Sequence, residues 1–199
     1  MDGSCYVRND NALQAFAGSL TVSLLALATG RETVVSTAPL ALPRGGGAFQ
    51  YACMGGSGSP FNSTCPPISA VLGAAGCKGD GSDCVAYVRV VEGGSGVAVD
   101  ENLQLLAPPY KLALPAAAVS AAVEEGVPPR AGDGARSILV TSDAVALYVL
   151  LTSLAQGRFE DNFFLLPGGQ VRTWFIPFEG FDAGELTESL RVEHVAMYL

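Results

Sequence analysis

The feature that most limits the fold is a succession of short alternating or β-branched runs broken by turn residues. They are "CYVRND", "SLTVSLLALAT", "ETVVSTAPLALP", "CVAYVRVVEG", "LQLLAPPYKLALP", "SILVTSDAVALYVLLTSL", "NFFLL" and "VRTWFIPF". Successive side chains of a strand point to opposite faces, so each run can bury one face and wet the other. Turn signals fall between the runs at the intervals of a β-sandwich. Helix-length amphipathic segments do not alternate with them, which disfavours a parallel α/β sheet. The expectation is an all-β, antiparallel sandwich. With 49% hydrophobic and 15% charged residues in 199, the chain has ample material for a core, and residues 1–199 read as one domain.

Two segments resist this pattern. "PAAAVSAAVEEG" (115–126) reads as strand or short helix: alanine favours helix and Pro115 suits a first helical position, yet apolar residues occupy nearly every side. Residues 45–83 are dense in Gly, Ser, Pro and Cys, and read as a long surface insertion between two strands. Of the five cysteines, Cys53, Cys65, Cys77 and Cys84 fall in or just beyond it, while Cys5 leaves the count odd. Disulfides are expected among those four. No C-x-x-C spacing occurs and the single histidine, His194, is far away in sequence, so no metal site is expected. Asn62-Ser63-Thr64 is an N-glycosylation acceptor, and with the clustered cysteines it points to the secretory pathway.

Charge narrows the function classes. A net charge of −8 repels phosphate backbones, and no Lys/Arg run offers a membrane-surface patch. No segment reaches the roughly 18 apolar residues that span a bilayer. "SLTVSLLALATG" reads as a strand, because Leu20, Val22, Leu24 and Ala26 alternate with Thr21 and Ser23. Asp2, Arg8 and Asp10 before it do not make the positive leader of a signal peptide. Nucleic acid and membrane are therefore left out of the expected partners, and no cofactor is assigned.

Nor does the chain read as a catalyst. Glu160-Asp161, Asp100-Glu101 and Glu124-Glu125 are adjacent carboxylates, but strand neighbours diverge, so surface or turn roles are expected. His194 reads as an exposed or strand-end residue without an orienting partner. No G-x-S-x-G and no phosphate-binding loop is present, and "GDGSD" (79–83) lacks the rest of a calcium ladder. No catalytic, substrate-binding or metal residue is assigned.

The tail is more specific. "ALYVLLTSLAQGRFEDNFFLLPGGQVRTWFIPF…ELTESLRVEHVAMYL" resembles the C-terminal immunoglobulin-like domain of β-mannosidase-type enzymes of glycoside hydrolase family 2. Its parts here are an apolar strand (146–151), a G-R-F-x-D-N turn (157–162), a strand "FLL" (163–166), a hairpin, a strand of the type "(V/I)xFxP" (171–177) and a final short strand (190–198). The similarity runs from about residue 100 to the end and over 6–30, and is absent over 45–83. It implies an immunoglobulin-like sandwich, a chain ending near Leu199, and a parent whose remaining domains, a catalytic barrel and other β-sandwiches, are the partners. It also implies that the parent hydrolyses terminal β-D-mannosides or related β-glycosides, while none of the family's catalytic motifs is matched here. The competing expectation is a free-standing carbohydrate-binding or adhesion module.

Within this frame Val171, Thr173 and Phe175 share one face of a strand, and Arg172, Trp174 and Ile176 the other. Phe163, Phe164, Trp174 and Phe175 are expected to serve packing and not to form a sugar platform. The "GRFEDN" turn is expected to organise the sandwich end. Gly157 supplies a permissive backbone, Asp161 and Asn162 accept backbone N–H bonds, Arg158 pairs with Asp161 or another carboxylate, and Phe159 points to the core.

Overall fold

The structure is a computed structural model that describes residues 4–52 and 68–199. Cys53, Asn62 and Cys65 lie outside the described residues. The chain forms two compact units, residues 1–26 with 31–112, and residues 27–30 with 113–199. The sequence pattern suggested one sandwich interrupted by a loop. The difference arises in residues 45–83, which supply a strand and a helix to the first unit and so let it close a core of its own.

The first unit contains β1 (Ser4–Asn9), β2 (Phe16–Ala26), β3 (Glu32–Leu42), β4 (Gly47–Ala52), α1 (Ile68–Ala75), β5 (Cys84–Glu92) and β6 (Ala98–Leu105). Its main sheet has the order β3-β2-β5-β6, all antiparallel, and β1 pairs separately with β4. Leu20, Val22 and Leu24 oppose Val90, Val88 and Ala86, so all six project from one face. Val71, Leu72 and Ala75 of α1 are buried with Leu24, Ala86, Cys77 and Cys84. Val7 of β1 packs where Leu20, Leu40 and Val90 meet.

The end of α1 is locally encoded. Gly76 takes φ +77°, the left-handed conformation that ends many helices. The Gly76 N–H then bonds the Gly73 carbonyl at 3.1 Å and the Cys77 N–H bonds that of Leu72 at 2.8 Å. This paired 5→2 and 6→1 closure satisfies carbonyls that the helix leaves open.

The second unit contains β7 (Val119–Val123), β8 (Arg136–Ser142), β9 (Ala146–Thr152), β10 (Gly157–Phe159), β11 (Phe164–Leu166), β12 (Gly169–Pro177), α2 (Ala183–Ser189) and β13 (Arg191–Glu193). Two antiparallel sheets, β10-β12-β8-β7 and β11-β9-β13, make an immunoglobulin-like sandwich. Ile138, Val140, Val149, Leu151, Phe164 and Phe175 lie in its core. The ambiguous segment 115–126 forms β7, because Val119, Ala121 and Val123 lean on that core while Ser120 and Ala122 face water. A bulge sits in β9, where Ala146 and Val149 pair with Leu166 and Phe164, and Tyr148 within it has φ +53°. The sequence pattern did not announce α2. Asp182 caps it by accepting the Gly184 and Glu185 N–H groups at 2.7 and 3.3 Å, and Leu186 drops into the core.

Because α1 is part of the core, replacing residues 50–82 by a short linker would remove packed surface and not a dispensable loop. Leu72→Ala should therefore cost about 2–5 kcal/mol. Gly73→Ala, at an exposed position where an added Cβ meets nothing within 4 Å, should gain about 0.5–1 kcal/mol from helix propensity. Urea denaturation of both variants checks the pair; equal midpoints would show that α1 contributes nothing to the unit.

Candidate functional site

The "GRFEDN" segment links the two sheets of the second unit. Gly157 opposes Pro177 and Phe159 opposes Phe175 across the β10–β12 ladder. A Cβ at position 157 would lie 2.3 Å from the Phe175 ring and 2.6 Å from the Ile176 carbonyl. Glycine is required here by space; its φ is not in the left-handed region, so the expected conformational reason is replaced by a steric one. Phe159 meets Phe175 edge-on at 5.1 Å between centroids and packs against the core.

Asn162 holds the other sheet. Its Oδ1 accepts the Leu151 N–H at 2.6 Å and its Nδ2 donates to the Leu151 carbonyl at 3.0 Å, imitating one rung of a β-ladder. Asp161 does not share this work: it is exposed and makes no hydrogen bond or ion pair among the described residues. Arg158 is exposed and does not pair with it. Glu160, between them, is the residue that finds a cation.

That cation is Arg130, which the sequence pattern did not single out. Its Nη2 lies 2.6 Å from Asp133 Oδ2, its Nη1 lies 3.0 Å from Glu160 Oε1, and its guanidinium carbon stands 5.2 Å from the centroid of Trp174. Asp133 also accepts the Ala135 N–H at 3.1 Å, closing the loop that presents Arg130. The Asp133-Gly134 pair three residues on was the available turn signal. Trp174 therefore lies on the outward face of β12 with Arg172 and Ile176, as alternation requires, while Thr173 and Phe175 are buried. An arginine already occupies a face of its ring, which leaves it unlike an open sugar platform.

A second ion pair fixes the same sheet. Arg172 grips Glu124 by two bonds, Nε to Oε2 at 2.5 Å and Nη2 to Oε1 at 2.8 Å, and Ser137 donates its hydroxyl to that carboxylate. The Arg172 bonds first, and then Ser137, hold the Glu124 carboxyl down to about 2. Arg130 lowers Asp133 in the same way. A general acid needs the opposite shift, so these carboxylates are built to stay ionised and hold strands together. Elsewhere Glu101 accepts the Tyr87 hydroxyl, and Asp100 accepts the Glu101 N–H at 2.9 Å.

His194 directly follows β13, the strand-end position of the two expected, but it is buried and not exposed, with Nδ1 lacking a partner among the described residues. Its carbonyl accepts the Met197 N–H at 3.0 Å, which begins the closing turn. Cys77 and Cys84 form a disulfide with Cα atoms 5.9 Å apart. Asp83 stands close enough to join both sulfurs around an ion, but the bridge removes the thiolates as ligands, and Asp83 Oδ1 accepts the Lys78 N–H at 2.7 Å. In "GDGSD", Asp80 accepts the Ser82 N–H and hydroxyl at 3.0 and 2.8 Å, a loop-closing role.

Residues 114–197 match the family model Ig_mannosidase, an Ig-fold domain. The chain is similar to β-D-mannosidase from Dictyoglomus thermophilum, with TM-score 0.61 and 19% identity over 98% of this chain and 20% of that one. It is also similar to the Amycolatopsis orientalis exo-chitosanase CsxA, with TM-score 0.55 and 17% identity over 96% of this chain and 24% of that one. Such identities show a shared fold, and the chain spans about a fifth to a quarter of the length of these proteins. No curated protein matches the chain in sequence.

Asn162→Ala leaves the N–H and carbonyl of buried Leu151 unpaired and should cost about 1–3 kcal/mol. Asp161→Ala should stay within about 0.5 kcal/mol of the parent chain. Reversed costs in chemical denaturation would return the turn to Asp161. For Glu124 the carboxyl is depressed in the folded state, so its stabilisation is full above the ordinary value near 4.5 and is lost as pH falls toward about 2. Glu124→Gln should flatten the fall of Tm across that window. An unchanged slope would mean that the Arg172 pair does not hold in solution.

Proposed function

We propose that the chain is the non-catalytic C-terminal β-sandwich portion of a family 2 glycoside hydrolase of β-mannosidase type. Its parent hydrolyses terminal β-D-mannosides, or related β-glycosides, with retention in carbohydrate or glycoprotein catabolism. The observation that carries this reading is the match of residues 114–197 to the mannosidase Ig-fold family. The fold shared with a β-mannosidase and an exo-chitosanase, each four to five times longer, supports a place inside a larger enzyme.

The chemistry of the residues fits a supporting role. Retaining hydrolysis uses two carboxyl groups about 5 Å apart, one of them protonated at the outset. Here Glu124, Asp133 and Glu160 are bound to arginines, with the first two held below the ordinary carboxylate range. The barrel that carries such a pair in this family needs roughly 250 residues, more than this chain has. The barrel and further β-sandwiches are thus the proposed partners. The Asn62 acceptor and the Cys77–Cys84 bridge support a secretory route to a lysosome, vacuole or the exterior.

The isolated 199-residue chain should hydrolyse no aryl β-mannoside above buffer. The protein encoded by the complete reading frame should do so and should lose thermal half-life when these residues are removed. Two results oppose the reading: turnover by the isolated chain that a point change within it abolishes, or a complete frame that encodes no barrel.

A further inference from the structure

The main sheet of the first unit changes character at its edge. On β2 and β5 one face carries Leu20, Val22, Val88 and Val90. On β6 the same face carries Asp100, Asn102 and Gln104, set directly opposite Val90, Val88 and Ala86. Opposed residues of an antiparallel pair project to the same side, so a polar row continues an apolar floor. Among the described residues, Val7 of β1 packs against Leu20 and Val90 of that floor. What remains is a cleft of about 270 Å³ with Leu20, Val88 and Val90 as its floor. β6 forms one wall and Tyr6 to Arg8 of β1 the other.

We propose that this cleft binds a neutral sugar of one or two pyranose rings. Its volume falls below the roughly 300–1,000 Å³ of pockets for drug-sized ligands, which limits the occupant to something small. Alternate residues of a strand repeat at about 6.6 Å, so Asp100 and Asn102 present a carboxylate and an amide at a spacing comparable to a sugar ring, while Gln104 Nε2 donates to the Leu105 carbonyl at 3.0 Å. The apolar floor suits the C–H face of such a ring. Asn102 is exposed and its amide has no hydrogen-bond partner among the described residues. Tyr6, 70% exposed at the mouth, has neither ring nor cation against it among those residues.

Charge selects the ligand further. Arg8 is paired with Asp10 at 2.6 Å, so it brings no uncompensated positive charge to the cleft. Asp100 stands on the opposite wall, which disfavours anions. Polar residues turned inward also protect a sheet edge from pairing with other chains, but that role requires no ligand. Binding separates the two accounts.

The choice of mannosides as first probe rests on the glycosidase reading above. The test is an NMR titration of the 199-residue chain with methyl β-D-mannoside and β-1,4-mannobiose, to about 50 mM, beyond the millimolar affinity expected of a shallow cleft. Methyl β-D-glucuronide is the anionic control. Saturable shifts should gather on β1, β5 and β6, leave Trp174 unmoved, and be absent with the glucuronide. Asn102→Ala and Tyr6→Ala should each weaken binding roughly fivefold, the effect of losing one modest contact, at unchanged Tm. The proposal is overturned by no saturable shift with either neutral sugar, by shifts centred on Trp174, by equal binding of the glucuronide, or by full affinity in both variants. Failure here with mannosidase activity in the complete protein would sink the cleft alone. Sugar binding here with no such activity would sink the glycosidase reading alone.

Discussion

Phe175 occupies the space that a side chain at position 157 would need. Much of the second unit's architecture follows from this contact. With only hydrogen at Gly157, β10 can lie against β12, Phe159 can meet Phe175 edge-on, and Phe181 can close over the ring at 5.7 Å. Just beyond β10 the chain crosses to the other sheet, where Asn162 fastens it to Leu151 through paired amide bonds. One steric constraint and one side-chain amide thus tie the two sheets around a common core.

The opposite faces of these strands are ordered by charge. Arg130 and Arg172 each engage carboxylates in more than one bond, from just after β7, from the loop before β8, or from just after β10. Separate exposed ion pairs contribute little to stability, but a planar guanidinium gripped at several points specifies strand neighbours and loop conformation. Glu124 and Asp133 are drawn down and kept ionised, which is the electrostatics of a scaffold. The first unit solves the same covering problem differently, with a helix and a two-stranded ribbon over its sheet. Its edge strand has polar residues where its neighbours have apolar ones, and a cleft lies there.

Most strands were legible because period-two alternation is a property of the chain itself. Val171, Thr173 and Phe175 separate from Arg172, Trp174 and Ile176 in sequence and in space alike. The "GRFEDN" turn was visible as a motif, but its workings were not. Asp161 and Asn162 are chemically similar candidates for bonding a nearby backbone, and the approach of Leu151, eleven residues earlier, favours Asn162. Arg130 was missed for a related reason: its partners Glu160 and Trp174 come from distant parts of the chain.

Sequence by itself determined the all-β class, the two faces of β12, and the family resemblance of the tail, because these depend on local periodicity and on motifs read in order. Tertiary structure alone decided that the Gly- and Cys-rich stretch contributes β4 and α1 to a second core, since low apolar density is outweighed once Val71, Leu72 and Ala75 find Leu24 and Ala86. It also decided that His194 is buried and that Cys77 joins Cys84. Burial and pairing depend on which distant segments arrive alongside, and no local pattern carries that information.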